Sequence, residues 1–419
     1  DDIRVTFYRD SASWCPYCQK VWLTLEYKQI PYRVEKINMR CYGDKPRSFL
    51  QIQPGGQIPV AEINGRVYGQ SNDILMALEQ QQFPKSSSSK KLLPDDPKGM
   101  ARAQELFTLE RQLFSAWMGW LTGGGRGRSN FERTLAYVDE VLRSNTDGPF
   151  FLGQSMSMVD VQFSSFLERM VSSLLYFKGF EMRVPKDDPR SQTLYPGINA
   201  WFDAMEALPA YQLTKSDHYT HAHDLPPQLG GCTFESGYEP YQRAIDGEDG
   251  TSWSLPLSKH LGGYEPDWDW AGANDEPAAR REAVERLSYN YDAIVKFACR
   301  GAGRRGMPPV SAPLSDPNAV PNDAVQTSVD ACLRLVCNAL LNYDDVMGSS
   351  GTYIPNGDDQ AMQALAEVIK STGGPEYTKG VVDSLVYLRD RVGVPRDMRL
   401  PAARQLRAHL NWCIDKLSK

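Results

Sequence analysis

Cys15 and Cys18 flank Pro16 and Tyr17 in "SWCPYCQK", the one C-x-x-C of the chain. A pair at this spacing can ligate zinc, exchange disulfides, or lie inert. A structural zinc site wants four ligands, usually two such pairs or one pair with two histidines. No second pair exists, and the histidine-rich "HYTHAHD" (His218, His221, His223) lies far downstream, so no metal is expected at the cysteines. The redox reading has a physical basis. Pro16 suits the first residue of a helix, where the missing N–H would be unpaired anyway. Cys15 then sits at a helix N-terminus, where the macrodipole and free N–H groups favour a thiolate. Cys18, one turn on and on the same face, is placed to resolve a mixed disulfide. Two inert cysteines are the bland alternative, and the strand-like run ahead of the pair argues against it.

The surrounding pattern supplies the elements that must hold these residues. "IRVTFY" alternates Ile3, Val5 and Phe7 as a strand does. "QKVWLTLEYKQI" carries Val21, Trp22 and Leu25 at helical spacing, and "PYRVEKI" reads as a second strand. "IPVAEINGRVYG" is a hairpin around Asn64-Gly65. "SNDILMALEQQ" opens a helix with Ser71 as its N-cap. The order is β-α-β, then β-β-α, closed by the polar linker "PKSSSSKK" at 84–91.

From about residue 95 to 225 the pattern is helical, interrupted by "LTGGGRGRSN". That stretch is glycine-rich but lacks the Gly-Lys-Ser/Thr of a phosphate loop, so it reads as a flexible connection. In "SMSMVD", Ser157 and Asp160 have the spacing of a reciprocal helix cap. "HYTHAHD" precedes Pro226-Pro227 and reads as loop histidines rather than metal ligands. Beyond about 230, turn residues and aromatics dominate, then helical patterns return. "YEPDWDWAG" at 264–272 reads as tryptophans plugging a loop onto a helix, with a docking surface as the alternative. "PAAR" begins two helical patterns, at 277 and 401, a hint of a duplicated unit.

The chain has 419 residues, enough for two or three domains. It is 41% hydrophobic and 23% charged, with net charge −6. That balance argues against a nucleic-acid surface and against anionic membranes. No uninterrupted apolar run approaches the roughly 20 residues that span a bilayer, so a soluble protein is expected. Eight scattered cysteines are no disulfide framework and fit a reducing compartment. The chain begins without Met; a removed leader and a trimmed chain are both compatible with that.

Three motifs together resemble a known family. "CPYC" after a first strand resembles the dithiol glutaredoxin site. "PGGQIPVAEINGRVYGQSNDIL" is similar to the glutathione-binding half of glutathione transferases, and "FFLGQSMSMVDVQFSSFLERM" to the capping motif of their helical domain. Over residues 3–225 the chain resembles a cysteine-type glutathione transferase of the omega-like and dehydroascorbate-reductase-like branches. The resemblance implies a thioredoxin-like α/β domain (1–84), an all-helical transferase domain (92–230) and an additional mostly helical extension (231–419). It implies glutathione as co-substrate and a catalytic Cys15 with Cys18 resolving. Pro16, Tyr17, Gln57, Ile58, Pro59, Gln70 and Ser71 match its glutathione site: Ile58 precedes the family's cis-proline, and Gln70-Ser71 receives the γ-glutamyl end. Gln57 stands where many relatives have Lys, which removes charge assistance from the glycine carboxylate. The expected activity is a glutathione-dependent thiol transferase acting on a small disulfide or electrophile. The other reading is a weakly catalytic or non-catalytic binding subunit, with 231–419 as a surface for a protein partner. The longer arrangement resembles transferase-like proteins of plants and algae, which suggests the chloroplast stroma, with the cytoplasm as the alternative.

Overall fold

The computed structural model describes residues 3–83, 90–184, 188–257, 276–342 and 358–419. Residues 84–89 of the expected linker and the stretch "YEPDWDWAG" lie outside the described residues. The described chain forms two compact units, one running to Gln242 and one from Arg243 onward.

The first unit begins with a four-stranded sheet. Strands β1 (Val5–Asp10), β2 (Tyr32–Ile37), β3 (Val60–Ile63) and β4 (Arg66–Tyr68) lie in the order β2-β1-β3-β4. β1 runs parallel to β2, with Val5 opposite Tyr32, and antiparallel to β3, with Val5 opposite Ile63. Alternation buries Val5 and Phe7. Asn64 and Gly65 have φ 50° and 78°, the left-handed pair that a two-residue hairpin of matching twist requires.

Helix α1 (Pro16–Lys28) crosses from β1 to β2, its buried face formed by Val21, Leu23 and Leu25. It ends at Gln29, left-handed at φ 55°, whose N–H closes on Glu26 and Leu25 carbonyls. A short helix, α2 (Arg47–Ile52), has no counterpart in the sequence reading. Its Phe49 packs with Ile37 and Val60 against Tyr8 and Ile58, and this burial holds six residues that have little helical tendency of their own. Helix α3 (Ser71–Gln80) closes the domain.

The helical part comprises α4 (Pro97–Gly123), α5 (Arg128–Ser144), α6 (Met158–Lys178), α7 (Pro196–Glu206), α8 (Pro209–Thr214) and α9 (His218–Leu229). The glycine-rich link between α4 and α5 is a single 3-10 turn at Gly125–Gly127. At Gly127 a Cβ would strike the Trp120 backbone, which explains the glycine there. α6 is buried along nearly its whole length, the mark of a central helix. The expected Ser157/Asp160 box is present: Ser157 Oγ accepts from the Asp160 N–H, and Asp160 Oδ2 accepts from the Ser157 N–H at 2.8 Å. The segment after α9 stays with this unit, as the Thr233 N–H bonds the Leu121 carbonyl and the Glu235 N–H the Phe177 carbonyl.

One expectation fails here. "HYTHAHD" is not a loop; it forms the first two turns of α9, and Pro226-Pro227 lie inside that helix rather than at a boundary. Asp217 caps it by accepting from the Thr220 N–H, and packing against α6 outweighs the two lost backbone donors.

The remaining helices are α10 (Glu239–Ile245), α11 (Glu276–Tyr289), α12 (Tyr291–Ala298), α13 (Gln326–Leu341), α14 (Asp358–Arg389) and α15 (Leu400–Ser418). The second unit packs α13, α14 and α15 together. α14 merges two expected helices across a kink at Gly374-Pro375. Both "PAAR" prolines stand at the second residue of a helix, α11 and α15. Among the described residues, the stretch Asp323–Leu341 is, by length and composition, apolar enough to cross a membrane, although Asp330 and Arg334 interrupt its apolar run. Its Val329, Leu333, Val336 and Leu340 are buried in the unit's core, which accounts for the composition.

Candidate active site

β1 delivers the chain to the cysteine loop, and α1 begins immediately after it. Cys15 is the N-cap of α1 and Pro16 its first residue. Cys15 is 8% exposed and Cys18 2%. Burial, with the neighbouring Cys15 thiol next, pushes the Cys18 thiol well above its ordinary range. Cys15 lies within electrostatic range of two cations, Arg169 and Lys45.

A residue that sequence reading passed over stands beside both sulfurs. Asp10, the last residue of β1, is fully buried. Its Oδ2 accepts the Trp14 N–H at 2.5 Å and the Cys15 N–H at 3.0 Å. Its Oδ1 has no hydrogen-bond partner among the described residues. One carboxylate oxygen and both sulfurs lie within 4.8 Å of one another, a set that could offer three ligands to a metal.

A buried polar network fixes the loop from behind. Trp14 Nε1–H donates to His221 Nδ1 at 3.1 Å. An indole nitrogen can only donate, so Nδ1 carries no proton and His221 is the neutral Nε2–H tautomer. Nε2–H then donates to Glu168 Oε1 at 2.8 Å. Burial, and then the charge of Arg169, hold His221 below its ordinary pKa, consistent with that tautomer. Glu168 also accepts from Gln19 Nε2 (2.9 Å), the Tyr211 hydroxyl (3.0 Å) and the Ser216 N–H (2.7 Å). Burial alone would raise its pKa; the hydrogen bond from His221 and its other partners instead bring it down to about 2. Arg169 donates to the Trp14 carbonyl and, at 2.7 Å, to Gln19 Oε1. Nearby on α9, Asp224 accepts from the Tyr42 hydroxyl. His218 Nδ1 pairs with the Ser172 hydroxyl at 2.7 Å, and His223 packs at a tilt of 49° against Tyr219 with ring centres 4.3 Å apart. The three histidines thus serve separate packing contacts.

The expected glutathione residues converge. Tyr17, Gln57, Ile58, Pro59, Gln70 and Ser71 line one cavity of about 840 Å³; Pro16, Cys15 and Cys18 are not among its lining residues. The Ile58-Pro59 bond is cis. Ser71 is not the N-cap of α3; Gln70 is, because its extended backbone (φ −126°) offers the carbonyl that accepts from Ile74 N–H. Ser71, Asn72 and Asp73, the first turn of α3, all face the cavity. The lining also includes Lys20, Glu110, Arg111 and Gln162, whose Nε2 donates to Asn72 Oδ1 at 2.9 Å. Lys20 Nζ donates to Gln162 Oε1 at 2.7 Å and lies 3.7 Å from Glu110. Burial, only partly offset by Glu110, lowers its pKa to about 8.

Residues 14–81 match the glutathione S-transferase N-terminal domain, and residues 106–200 the glutathione S-transferase C-terminal domain. The N-terminal half of the chain is therefore similar to both domains of glutathione S-transferases; it forms a thioredoxin-like α/β domain and a helical domain, followed by a further helical extension. Members of this family use glutathione as co-substrate. Among individual proteins, the chain is similar to glutathione S-transferase DHAR3, chloroplastic, of Arabidopsis thaliana, at 29% identity over 172 residues. That match covers 40% of this chain and 59% of the relative's length. It is also similar to glutathione S-transferase L1 of Arabidopsis thaliana, at 25% identity over 205 residues, covering 48% of this chain and 79% of the relative. A solved structure, the dehydroascorbate reductase of Chlamydomonas reinhardtii, is similar over 51% of this chain and 93% of its own, at 25% identity and TM-score 0.41.

Proposed function

We propose that the chain is a glutathione-dependent thiol–disulfide oxidoreductase working through a mixed disulfide on Cys15. The observation that carries this reading is a thiol at the N-terminus of α1, with a second thiol one turn on, and two cations within electrostatic range of the first. In the forward step the Cys15 thiolate attacks one sulfur of a glutathione-containing disulfide. The Cys15–glutathione bond forms, the old S–S bond breaks, and the other half leaves as a thiolate that takes a proton from water. A second glutathione thiolate then attacks the bound glutathione sulfur, giving glutathione disulfide and returning Cys15 as thiolate.

Glutathione would lie in the cavity beside this loop. The N–H groups at the start of α3 suit its γ-glutamyl carboxylate, and Gln57 its glycine end without charge assistance. Lys20 and Arg111 in the lining of the same cavity favour a polar or anionic second substrate over a purely apolar one. The chloroplastic relatives, DHAR3 and L2, support a plastid address.

The test is glutathione-dependent turnover of a small disulfide by the purified protein, read with calorimetric binding of glutathione. Ser71→Ala is expected to weaken glutathione binding by about 1–2 kcal/mol, roughly tenfold in Kd, through loss of a charge-assisted bond. An unchanged Kd in a folded variant would place the γ-glutamyl end elsewhere.

A further inference from the structure

Asp10 is the feature the transferase scheme leaves unused. A fully buried carboxylate with one oxygen unpartnered is costly, and here it stands against two thiols. Its other oxygen accepts two backbone N–H bonds from the loop that carries Cys15, so the group is fixed in place. The charges around it are Arg169 from α6, Lys45 from the loop before α2 and, nearest in the chain, Arg9, whose guanidinium bonds the Asp10 carbonyl and the Ser13 hydroxyl. Cys41 faces it as a further thiol, pushed up to about 11 by burial and then by Asp224. His221 and Glu168 reach the same loop through Trp14.

We propose that Asp10 is the proton acceptor for Cys18, and that it turns the single-thiol glutathione cycle into a two-thiol one. This rests on the oxidoreductase reading above. With glutathione on Cys15, the Cys18 S–H gives its proton to the Asp10 carboxylate, one oxygen of which lies within 4.8 Å of the sulfur. The Cys18 thiolate attacks Cys15 Sγ, the Cys15–Cys18 disulfide forms, and the bond to glutathione breaks. The departing glutathione thiolate takes the proton back from Asp10, so the step releases neutral glutathione and leaves the carboxylate as it began. Oxidant and reductant are both supplied: the electrons lost by the two cysteines have gone to the disulfide substrate that loaded Cys15. The separation of at most 4.8 Å is closed by rotation of the Cys18 side chain or by one water. Without an internal base, this step would wait for hydroxide, because the Cys18 thiol is held well above its ordinary range.

The experiment follows resolution in the full-length protein. Cys15 is loaded from glutathione disulfide, and acid-quenched samples are weighed as glutathione leaves and the internal disulfide forms. With Asp10 as acceptor, the wild-type rate changes less than about threefold from about pH 6 to about pH 8. Asp10→Asn, which keeps an oxygen for the loop N–H groups, is about 10²-fold slower at neutral pH and gains about tenfold per pH unit. A wild-type rate that itself climbs tenfold per pH unit overturns the proposal, as does an Asp10→Asn profile that superimposes on the wild type. Should Asp10→Asn fail to fold, the wild-type profile alone decides. A wild-type Cys15 that never accepts glutathione overturns the oxidoreductase reading and this proposal together; a loaded Cys15 with the steep profile overturns only the role of Asp10.

Discussion

Cys15→Ser is expected to bring glutathione-dependent reduction of a small disulfide down to the uncatalysed rate, while Cys18→Ser keeps a substantial part of it. The asymmetry follows from the positions of the two thiols. Cys15 stands at the N-terminus of α1, within electrostatic range of Arg169 and Lys45. A serine hydroxyl at that position is far too weak an acid to substitute as nucleophile. Cys18 is buried, with its thiol held in the protonated form, and it serves only the internal route. A second glutathione replaces that route when Cys18 is absent. Initial rates of both variants at saturating glutathione make the comparison. Equal loss in the two would mean that the roles are shared or reversed.

The largest effect on stability is expected at Glu168. Glu168→Ala removes the acceptor for His221, Gln19, Tyr211 and Ser216 at once and leaves Arg169 buried beside unpaired donors. Breaking a buried charged network in this way costs about 3–5 kcal/mol. The pH dependence carries the same signature. The carboxyl pKa falls from the ordinary 4.5 to about 2 on folding, so its contribution is fully present above about pH 4.5 and is lost as pH drops towards 2. His221 acts in the same direction from higher pH. It is held neutral in the fold, and protonation of the unfolded chain starts to favour unfolding below about pH 6.5. Thermal unfolding across this range should therefore show a decline in two stages, and Glu168→Gln should lose the lower one while keeping the upper. A Glu168→Ala protein as stable as the wild type would mean that the network does not hold the loop.

The contrast between what the sequence shows and what it hides has a physical cause. Pro16 after Cys15, Asn64-Gly65 between two short strands, and Ser157 three residues before Asp160 are local signals, and local backbone geometry decides them. Asp10 carries no such signal: it ends an ordinary strand, and its meaning comes from the loop folding back over it. Glu168 and Arg169 sit in "FLERM", where charges on a helix would normally face solvent. They are buried because α1, α4 and α9 pack on α6, with Tyr211 of α8 bonding Glu168. The same closure keeps "HYTHAHD" helical despite Pro226-Pro227, which local rules alone read as a stop. Ser71 shows the smaller error, one residue, that cap assignment commonly carries.

The most direct measurement is the intact mass of the Cys18→Ser protein after exposure to glutathione disulfide, followed by peptide mapping. With the resolving thiol removed, the mixed disulfide has no internal escape, and one added glutathione is expected, located on Cys15. A protein that stays unmodified at Cys15 while folded, or that takes glutathione only on Cys232 or Cys337, the half-buried thiols elsewhere in the chain, would contradict the proposed chemistry.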